Sequence, residues 1–242
     1  MPTKKLNVVI AGGSLGGLIY GIVLARHGHS VIILERNPTS SMSGLGAGLS
    51  CSVDMVTFME LYDLTQKLYT LDTEGLRLID TQGREVGGGT LGYVQRSTNW
   101  DTLYWRLRAN FDGLGSAYCD VPEGLQVAGE GRYWDGCTVE GVKYDDSCEQ
   151  VVVAYRDSRG EERMMEADLV IATDGPSSKI RRILLPDVER KYVGYIGWRG
   201  TVHEKEISRE SKEGLTELVT LCPIENSCSI SSVSQLPTPN RS

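Results

Sequence analysis

The chain has 242 residues, of which 40% are hydrophobic and 24% charged, and its formal net charge is -7. These values are typical of a globular protein and exclude a wholly disordered chain. The acidic balance also argues against a nucleic-acid-binding surface, which needs clustered Lys and Arg. The six cysteines include no CxxC pair and have no histidine cluster beside them, so we expect reduced thiols in a cytoplasmic protein and no metal site.

The amino-terminal segment contains an apolar run at residues 6–25, preceded by Lys4 and Lys5, as a signal peptide would. Glycines interrupt this run, and four of them fall within residues 12–17. Such a density favours a turn over the continuous helix of an export signal. No other apolar run approaches the roughly 20 residues that a membrane span requires. We therefore expect neither export nor a membrane span.

Residues 8–36, VVIAGGSLGGLIYGIVLARHGHSVIILER, predict a strand–helix–strand unit of the kind that binds dinucleotides. Gly12 permits the sharp turn from strand to helix, and Gly17 lets the helix pack closely on the strand. The helix N-terminus then directs free N–H groups at a pyrophosphate, and Glu35 can accept ribose hydroxyls. Ser14 stands at the middle position, where the fingerprint has glycine. FAD and NAD use the same turn, so both remain open at this point.

Two segments rich in glycine bear on the choice between flavin and nicotinamide. The sequence GLGAGL at residues 44–49 favours backbone lying against a flat ligand, with a flexible loop as the alternative. The sequence YVGYIGWRGTV at residues 192–202 predicts an aromatic-rich strand, interrupted by glycines at bulges or ligand contacts.

The sequence ADLVIATDGPSSKIRR at residues 167–182 predicts a buried strand, an Asp-Gly corner and a helix. Pro176 suits the first turn of that helix, and Ser177 or Ser178 can cap it. A second hairpin, with its turn at residues 157–160, leads into this strand.

In this order, the motifs resemble those of the class A flavoprotein monooxygenases of the para-hydroxybenzoate hydroxylase type. The segment QRSTNWDTLYWRLRA, which begins at residue 95, and YVGYIGWRGTV look most like the 2,6-dihydroxypyridine hydroxylase branch. The resemblance implies an α/β fold with two parts. A Rossmann-like FAD-binding domain would comprise residues 1–75 and 95–190. A smaller β-rich substrate domain would comprise residues 76–94, with a hairpin at residues 80–84, and residues 191–221. Residues 222–242 are rich in serine and predict a disordered tail.

By that resemblance, the FAD-binding residues are Gly12, Gly13, Ser14, Gly17, Glu35, Arg36, Gly46, Ala47, Arg96, Asp174 and Gly175. The turn would line the pyrophosphate, Glu35 would hold the adenosine ribose, and Arg36 would lie beside the adenine. Arg96, at a helix entry, would contact the ribose or ribityl region of the flavin. Asp174 and Gly175 would meet FAD and NAD(P)H. The substrate-side residues would include Tyr195, Trp198 and Arg199, and no catalytic base is assigned.

The resemblance implies an FAD-dependent monooxygenase that hydroxylates an aromatic or heteroaromatic small molecule with NAD(P)H and O2. In such enzymes the cofactor carries the chemistry, while the protein orients the substrate and excludes water. The chain has no Gly-Asp dipeptide, which is part of the family's second flavin motif. We therefore expect a C-terminally truncated chain whose FAD affinity rests on the ADP half and whose activity is impaired. A catalytically inactive nucleotide-binding fragment and an NAD(P)-dependent reductase are the alternatives.

Overall fold

The computed structural model describes residues 4–42, 48–65, 68–80, 82, 84–125, 129–147, 149–194, 204–206, 208–209, 219–224 and 227–231. The chain divides into two compact units. Unit 1 comprises Met1–Gly44, Tyr62–Gln66 and Tyr104–Gly197, and unit 2 comprises Leu45–Leu61, Lys67–Leu103 and Trp198–Ser242. The two-domain assignment made from the sequence stays a prediction.

Unit 1 is built around a parallel sheet of four strands in the order β10-β1-β2-β6. These strands are β1 (Asn7–Ala11), β2 (Ser30–Leu34), β6 (Glu130–Trp134) and β10 (Leu169–Ala172). Apolar residues fill the two central strands, because a parallel sheet is buried on both faces. Together with the antiparallel sheets described below, this sheet confirms the predicted α/β class.

Helix α1 (Leu15–Arg26) connects β1 to β2 and completes the predicted strand–helix–strand unit. It ends beside Gly28, whose φ of 92° lies in the left-handed region that glycine adopts at helix ends. Gly21 and Gly131 make room for the ring of Phe111, since a Cβ at either position would lie 2.9 Å from a ring carbon. Small residues on the helix and on β6 therefore let an aromatic side chain fill the layer between them.

Helix α3 (Trp100–Phe111) begins within the predicted helix entry, four residues after Arg96. The Oδ1 atom of Asn99 accepts the N–H of Thr102 at 2.7 Å, so Asn99 caps the helix. Arg96 lies within β5 (Glu85–Asn99), which runs up to the residue before the helix. Residues 104–111, the part of α3 in unit 1, are buried, and their charged groups are paired, as in the 2.8 Å ion pair of Arg106 with Asp63.

A second sheet of unit 1 is antiparallel, in the order β7-β8-β9. Its strands are β7 (Thr138–Asp145), β8 (Gln150–Arg156) and β9 (Glu162–Ala167). The predicted hairpin turn is confirmed: the N–H of Gly160 donates to the carbonyl of Asp157 at 2.9 Å. Val153, Ala167 and Ile180 pack with Val9 and Leu34 in one buried cluster, which fixes this sheet and helix α4 (Lys179–Leu184) against the parallel sheet.

Unit 2 contains a sheet of five strands in the order β12-β11-β4-β5-β3. β3 (Gly48–Cys51) precedes helix α2 (Val53–Tyr62), and β4 (Leu71–Ile79) forms a hairpin with β5. Oδ1 of Asp80 accepts the N–H groups of Gln82 and Arg84 at 2.9 Å each, which confirms the hairpin expected at residues 80–84.

The last described strands, β11 (Val219–Ile224) and β12 (Ser227–Ser231), lie in unit 2. Val219 pairs with Leu76 of β4, and β12 pairs antiparallel with β11. Residues 222–224 and 227–231 are therefore in strands where the sequence predicts a disordered tail, because these two segments supply backbone partners to each other that composition does not reveal. Residues 195–202 of the predicted aromatic strand, with Tyr195, Trp198 and Arg199, lie outside the described residues. No helix in the described part of the chain is long and apolar enough to cross a membrane.

Candidate functional site

The candidate site is the turn at residues 12–17, which joins the carboxyl end of β1 to α1 in unit 1. Gly12 has a φ of 102°, and a Cβ there would lie 2.4 Å from the carbonyl oxygen of Thr173. A Cβ at Gly17 would lie 2.0 Å from the carbonyl oxygen of Gly12. Both positions therefore accept only glycine, the first for its backbone conformation and the second for close packing. Ser14, the N-cap residue of α1, makes no side-chain capping hydrogen bond to the first N–H groups of the helix, which lack intrahelical partners.

Glu35 follows β2 and lies directly beside this turn. Its Oε2 atom accepts the N–H of Gly13 at 2.7 Å, and its Oε1 atom accepts the N–H of Asn37 at 2.8 Å. Glu35 is only 5% exposed, so these two bonds hold a buried carboxylate in one orientation. A carboxylate has about four acceptor positions, which leaves capacity on each oxygen for a further donor such as a ribose hydroxyl. The adjacent Arg36 is exposed.

The Asp-Gly corner follows β10, the parallel neighbour of β1, so the two turns lie at the same edge of the sheet. The N–H of Thr173 donates to the carbonyl of Ala11 at 2.8 Å, and its Oγ1 donates to the carbonyl of Gly12 at 2.7 Å. The residue before Asp174 is therefore bonded directly to the glycine turn. The structure brings these two predicted segments together.

The carboxylate of Asp174 faces helix α4. Its Oδ2 atom accepts the N–H of Lys179 at 2.8 Å, while Oγ of Ser178 accepts the N–H of Arg181 at 2.9 Å. Ser178 is thus the N-cap, one of the two serines predicted for that role. Pro176 lies two residues before the cap rather than in the first turn, because the corner at Gly175, with φ of 76°, delays the start of the helix.

Three residues at the site have no counterpart in the sequence prediction: Tyr104, Arg108 and Tyr133. Tyr133, on β6, donates its hydroxyl to the carbonyl of Gly13 at 3.0 Å. Its Oη lies 3.2 Å from that of Tyr104, which in turn accepts Nη1 of Arg108 at 2.9 Å. Burial, and then the bond with Tyr104, raise the pKa of Tyr133 far above its usual range, so its hydroxyl stays a proton donor. The spacing of Tyr104 and Arg108 predicts a shared helix face, but nothing local connects them to Tyr133.

The remaining predicted residues belong to unit 2. Arg96 is exposed on β5 in unit 2, with its Nε atom 3.7 Å from Oδ1 of Asp72. It pairs in register with Cys51. Burial raises the pKa of that thiol, and the Arg96 charge opposes the shift. Gly46 and Ala47 lie outside the described residues. The assigned contacts of all three with a flavin stay predictions.

Known proteins resemble this chain along most of its length, although no family model matches it. The 2,6-dihydroxypyridine 3-monooxygenase of Paenarthrobacter nicotinovorans is 26% identical over 203 residues, which are 84% of this chain and 44% of the relative. The FAD-dependent monooxygenase atnJ of Arthrinium sp is 31% identical over 185 residues, covering 75% of this chain and 38% of that protein. The solved structure of 2,6-dihydroxypyridine-3-hydroxylase from Arthrobacter nicotinovorans matches 92% of this chain and 50% of its own, with a TM-score of 0.68 and 26% identity.

The chain is similar in sequence and in structure to FAD-dependent monooxygenases. This confirms the predicted resemblance to the class A flavoprotein monooxygenases, including its 2,6-dihydroxypyridine hydroxylase branch. The chain spans about half the length of the curated monooxygenases that it matches, with 44% and 48% of two of them covered.

The turn at residues 12–17 fits the dinucleotide of such a monooxygenase. The two glycines allow the close packing of β1, α1 and the segment at Thr173 that forms the turn, and the helix N-terminus offers N–H donors and the positive end of a dipole to an anion. Glu35 supplies oriented acceptors at the same edge. The donors match a pyrophosphate, and the acceptors match ribose hydroxyls.

Proposed function

We propose that this chain binds FAD through the glycine turn and Glu35, and that it is part of an enzyme that hydroxylates an aromatic or heteroaromatic small molecule with NAD(P)H and O2. One observation carries the proposal: the buried Glu35 carboxylate is bonded to the N–H of Gly13 inside a turn that only glycine can form at Gly12 and Gly17. Support for the substrate class comes from a relative named for 2,6-dihydroxypyridine, a heteroaromatic ring.

Each part of the turn has a distinct role in this proposal. Ser14 and the first N–H groups of α1 donate to the pyrophosphate, and the helix dipole favours its negative charge. Glu35 accepts the adenosine ribose hydroxyls, and the exposed Arg36 lies beside the adenine. FAD, when bound, supplies the redox chemistry with O2. The protein's own contribution is to bind, orient and exclude water.

Asp174 and Gly175 are proposed to meet FAD and NAD(P)H. Support comes from the bonds of Thr173 to Ala11 and Gly12, which hold the corner at the edge where the turn lies. Arg96, Gly46 and Ala47 are proposed to contact the flavin half. We also propose that residues 1–75 and 95–190 form the FAD-binding domain, with residues 76–94 and 191–221 in a β-rich substrate domain. The reductase alternative is not favoured, since the relatives are named as monooxygenases.

The visible absorption spectrum of the purified chain, incubated with FAD and then desalted, tests the proposal. Weakly retained flavin bands are expected, together with impaired consumption of NADH or NADPH in the presence of O2 and an aromatic substrate. A colourless protein that NAD(P)H protects from unfolding would support a reductase instead. A colourless protein indifferent to both would support an inactive fragment.

The variant Glu35→Ala tests the ribose contact specifically. It removes the only acceptors assigned to the ribose, so FAD affinity should fall by about tenfold or more, the equivalent of one charge-assisted hydrogen bond. Glu166→Ala is the matched control, because Glu166 is an exposed acid on β9. An FAD titration of Glu35→Ala that matches the control would contradict the assigned contact.

A further inference from the structure

A chain of hydrogen bonds runs from the buried Arg108 guanidinium to the glycine turn. Nη1 of Arg108 donates to Oη of Tyr104 at 2.9 Å, and the two tyrosine oxygens are 3.2 Å apart. Tyr133 donates its own proton to the carbonyl of Gly13 at 3.0 Å, so its oxygen accepts the proton of Tyr104. Every hydroxyl therefore points from the cation toward the turn, an arrangement in which each bond polarises the next.

The Arg108 guanidinium, where this series of hydrogen bonds begins, is held in place from two sides. Asp112 accepts two bonds from Arg108, to Nε at 3.0 Å and to Nη2 at 2.8 Å. The guanidinium carbon lies 3.6 Å from the centroid of the Tyr133 ring, within the range of a cation–π contact. Arg108 is 4% exposed. The ring of Tyr133 is thus fixed by stacking, and its hydroxyl by hydrogen bonding.

The two peptide groups that flank Gly13 are held by different side chains. The N–H of Gly13 is bonded to Glu35, which fixes the peptide before it. The carbonyl of Gly13 is bonded to Tyr133, which fixes the peptide that joins it to Ser14. Because C=O and N–H point in opposite directions across a trans peptide, the bond to Tyr133 directs the N–H of Ser14 away from the Tyr133 side.

We infer that Tyr133, held by Arg108 and Tyr104, is a positioning residue for the dinucleotide turn, which sets the direction of the Ser14 N–H. The inference rests on the proposed function, since that N–H is one of the donors assigned to the pyrophosphate. A preorganised donor binds an anion more tightly than one that must be oriented on binding.

The same tyrosine accounts for the glycine at position 13, which the fingerprint does not require. A Cβ on Gly13 would lie 2.3 Å from Oη of Tyr133 and 2.6 Å from two of its ring carbons. Gly12 and Gly17 are instead constrained by backbone atoms. Gly13 and Tyr133 therefore form a matched pair, and changing one should alter the effect of changing the other.

Calorimetric titration of the full chain and of Tyr133→Phe with FAD tests the inference. The variant keeps the ring and its contact with Arg108 but loses the hydroxyl, so the FAD Kd should rise about three- to tenfold, the range expected for one hydrogen bond. Tyr155→Phe, at a buried tyrosine of β8, is the matched control and should leave the Kd unchanged. A purely structural role would lower the urea midpoint of Tyr133→Phe without changing the Kd of the folded protein.

A double-mutant cycle provides the second test. Gly13→Ala alone should weaken FAD binding more than tenfold, because the new Cβ displaces Tyr133. In a Tyr133→Ala background, Gly13→Ala should have little further effect, since the obstructing side chain is gone. Equal effects of Gly13→Ala in both backgrounds would overturn the inference. FAD binding that is unchanged in Tyr133→Phe overturns the inference alone, whereas failure of the unaltered chain to bind FAD overturns the proposed function and the inference together.

Discussion

The glycine turn after β1 and the Asp-Gly corner after β10 occupy equivalent places in the parallel sheet of unit 1. Their acidic side chains, however, have different hydrogen-bond partners. At the turn, two glycines remove side chains, and Glu35 is oriented by the N–H groups of Gly13 and Asn37. At the corner, the carboxylate of Asp174 is bonded to the N–H of Lys179 at the start of α4.

The carboxyl edge of a parallel sheet provides a place for a ligand, but it does not by itself provide free hydrogen-bond donors. The turn keeps the N-terminus of a 12-residue helix open, whereas the corner satisfies the N-terminus of a 6-residue helix with its own acidic side chain. We therefore assign the larger share of FAD affinity to the turn. The carboxylate of Asp174 supports the N-cap Ser178 by accepting the N–H of Lys179, and the corner is also the proposed contact with the cofactors.

The largest expected effect is on the glycine turn itself. Gly17→Ala places a Cβ 2.0 Å from the carbonyl oxygen of Gly12 and should lower the free energy of unfolding by about 3 kcal/mol, measured by urea denaturation. Gly16→Ala is the control, since its Cβ meets no atom closer than 3.8 Å. Gly16→Ala should stabilise the helix by about 0.5–1 kcal/mol. Similar losses in both variants would contradict the close packing assigned to Gly17.

The next largest effect on the free energy of unfolding is expected at Thr173, which links the turn to the corner. Thr173→Val removes the hydroxyl that donates to the carbonyls of Ala11 and Gly12, and should cost about 1.5 kcal/mol of unfolding free energy. Thr173→Ser keeps the hydroxyl and should recover most of that loss. If serine and valine destabilise equally in urea denaturation, the hydroxyl does not join the two segments.

The corner itself should respond as a helix cap. Asp174→Ala removes the acceptor of the Lys179 N–H and should cost about 1 kcal/mol, while Asp174→Asn keeps an acceptor oxygen and should cost less. FAD titration of Asp174→Ala also shows how much the corner contributes to FAD affinity relative to the turn. Asp174→Ala should weaken FAD binding less than Glu35→Ala does, and the reverse order would show that the corner dominates.

The smallest effect is expected at the opposite, amino edge of the same two strands. The N–H of Asn7, bonded to Oδ2 of Asp168 at 2.7 Å, lowers the pKa of that carboxyl, with Lys4 contributing. A lowered folded-state pKa contributes stability above the unfolded value of about 4, and that stability is lost as the pH falls through the folded pKa. The urea midpoint should therefore fall less between pH 7 and pH 3 in Asp168→Asn than in the unaltered chain. An identical fall in the two proteins would contradict this role.

The sequence predicts those parts of the site that depend on local pattern. The glycine turn, the acid after β2, the capping Ser178 and both hairpins follow from residue types at fixed spacing. The extension of β5 up to Asn99, with Arg96 inside the strand, was not predicted, because pairing with β3 and β4 leaves no local signal in this segment. The pairing of β11 with β4 also could not be predicted from composition, since backbone pairing over such a sequence separation leaves no local signal.

Tyr133 shows most clearly why the rest of the site could not be predicted. Its bond to Gly13 joins residues 120 positions apart, and it depends on β6 pairing with β2 in one register. The glycine at position 13 is visible in the sequence, but its cause is a side chain from another strand. The sequence pattern identifies the turn, whereas tertiary packing determines which side chains fix its peptide groups.

Calorimetric titration of the chain with FAD, ADP and FMN tests most directly whether the glycine turn and Glu35 hold the adenosine diphosphate half of the cofactor. We expect FAD and ADP to bind, FMN to bind far more weakly, and Glu35→Ala to weaken FAD and ADP by the same factor. FMN binding as tightly as FAD, or affinities for FAD and ADP that Glu35→Ala leaves unchanged, would contradict the account.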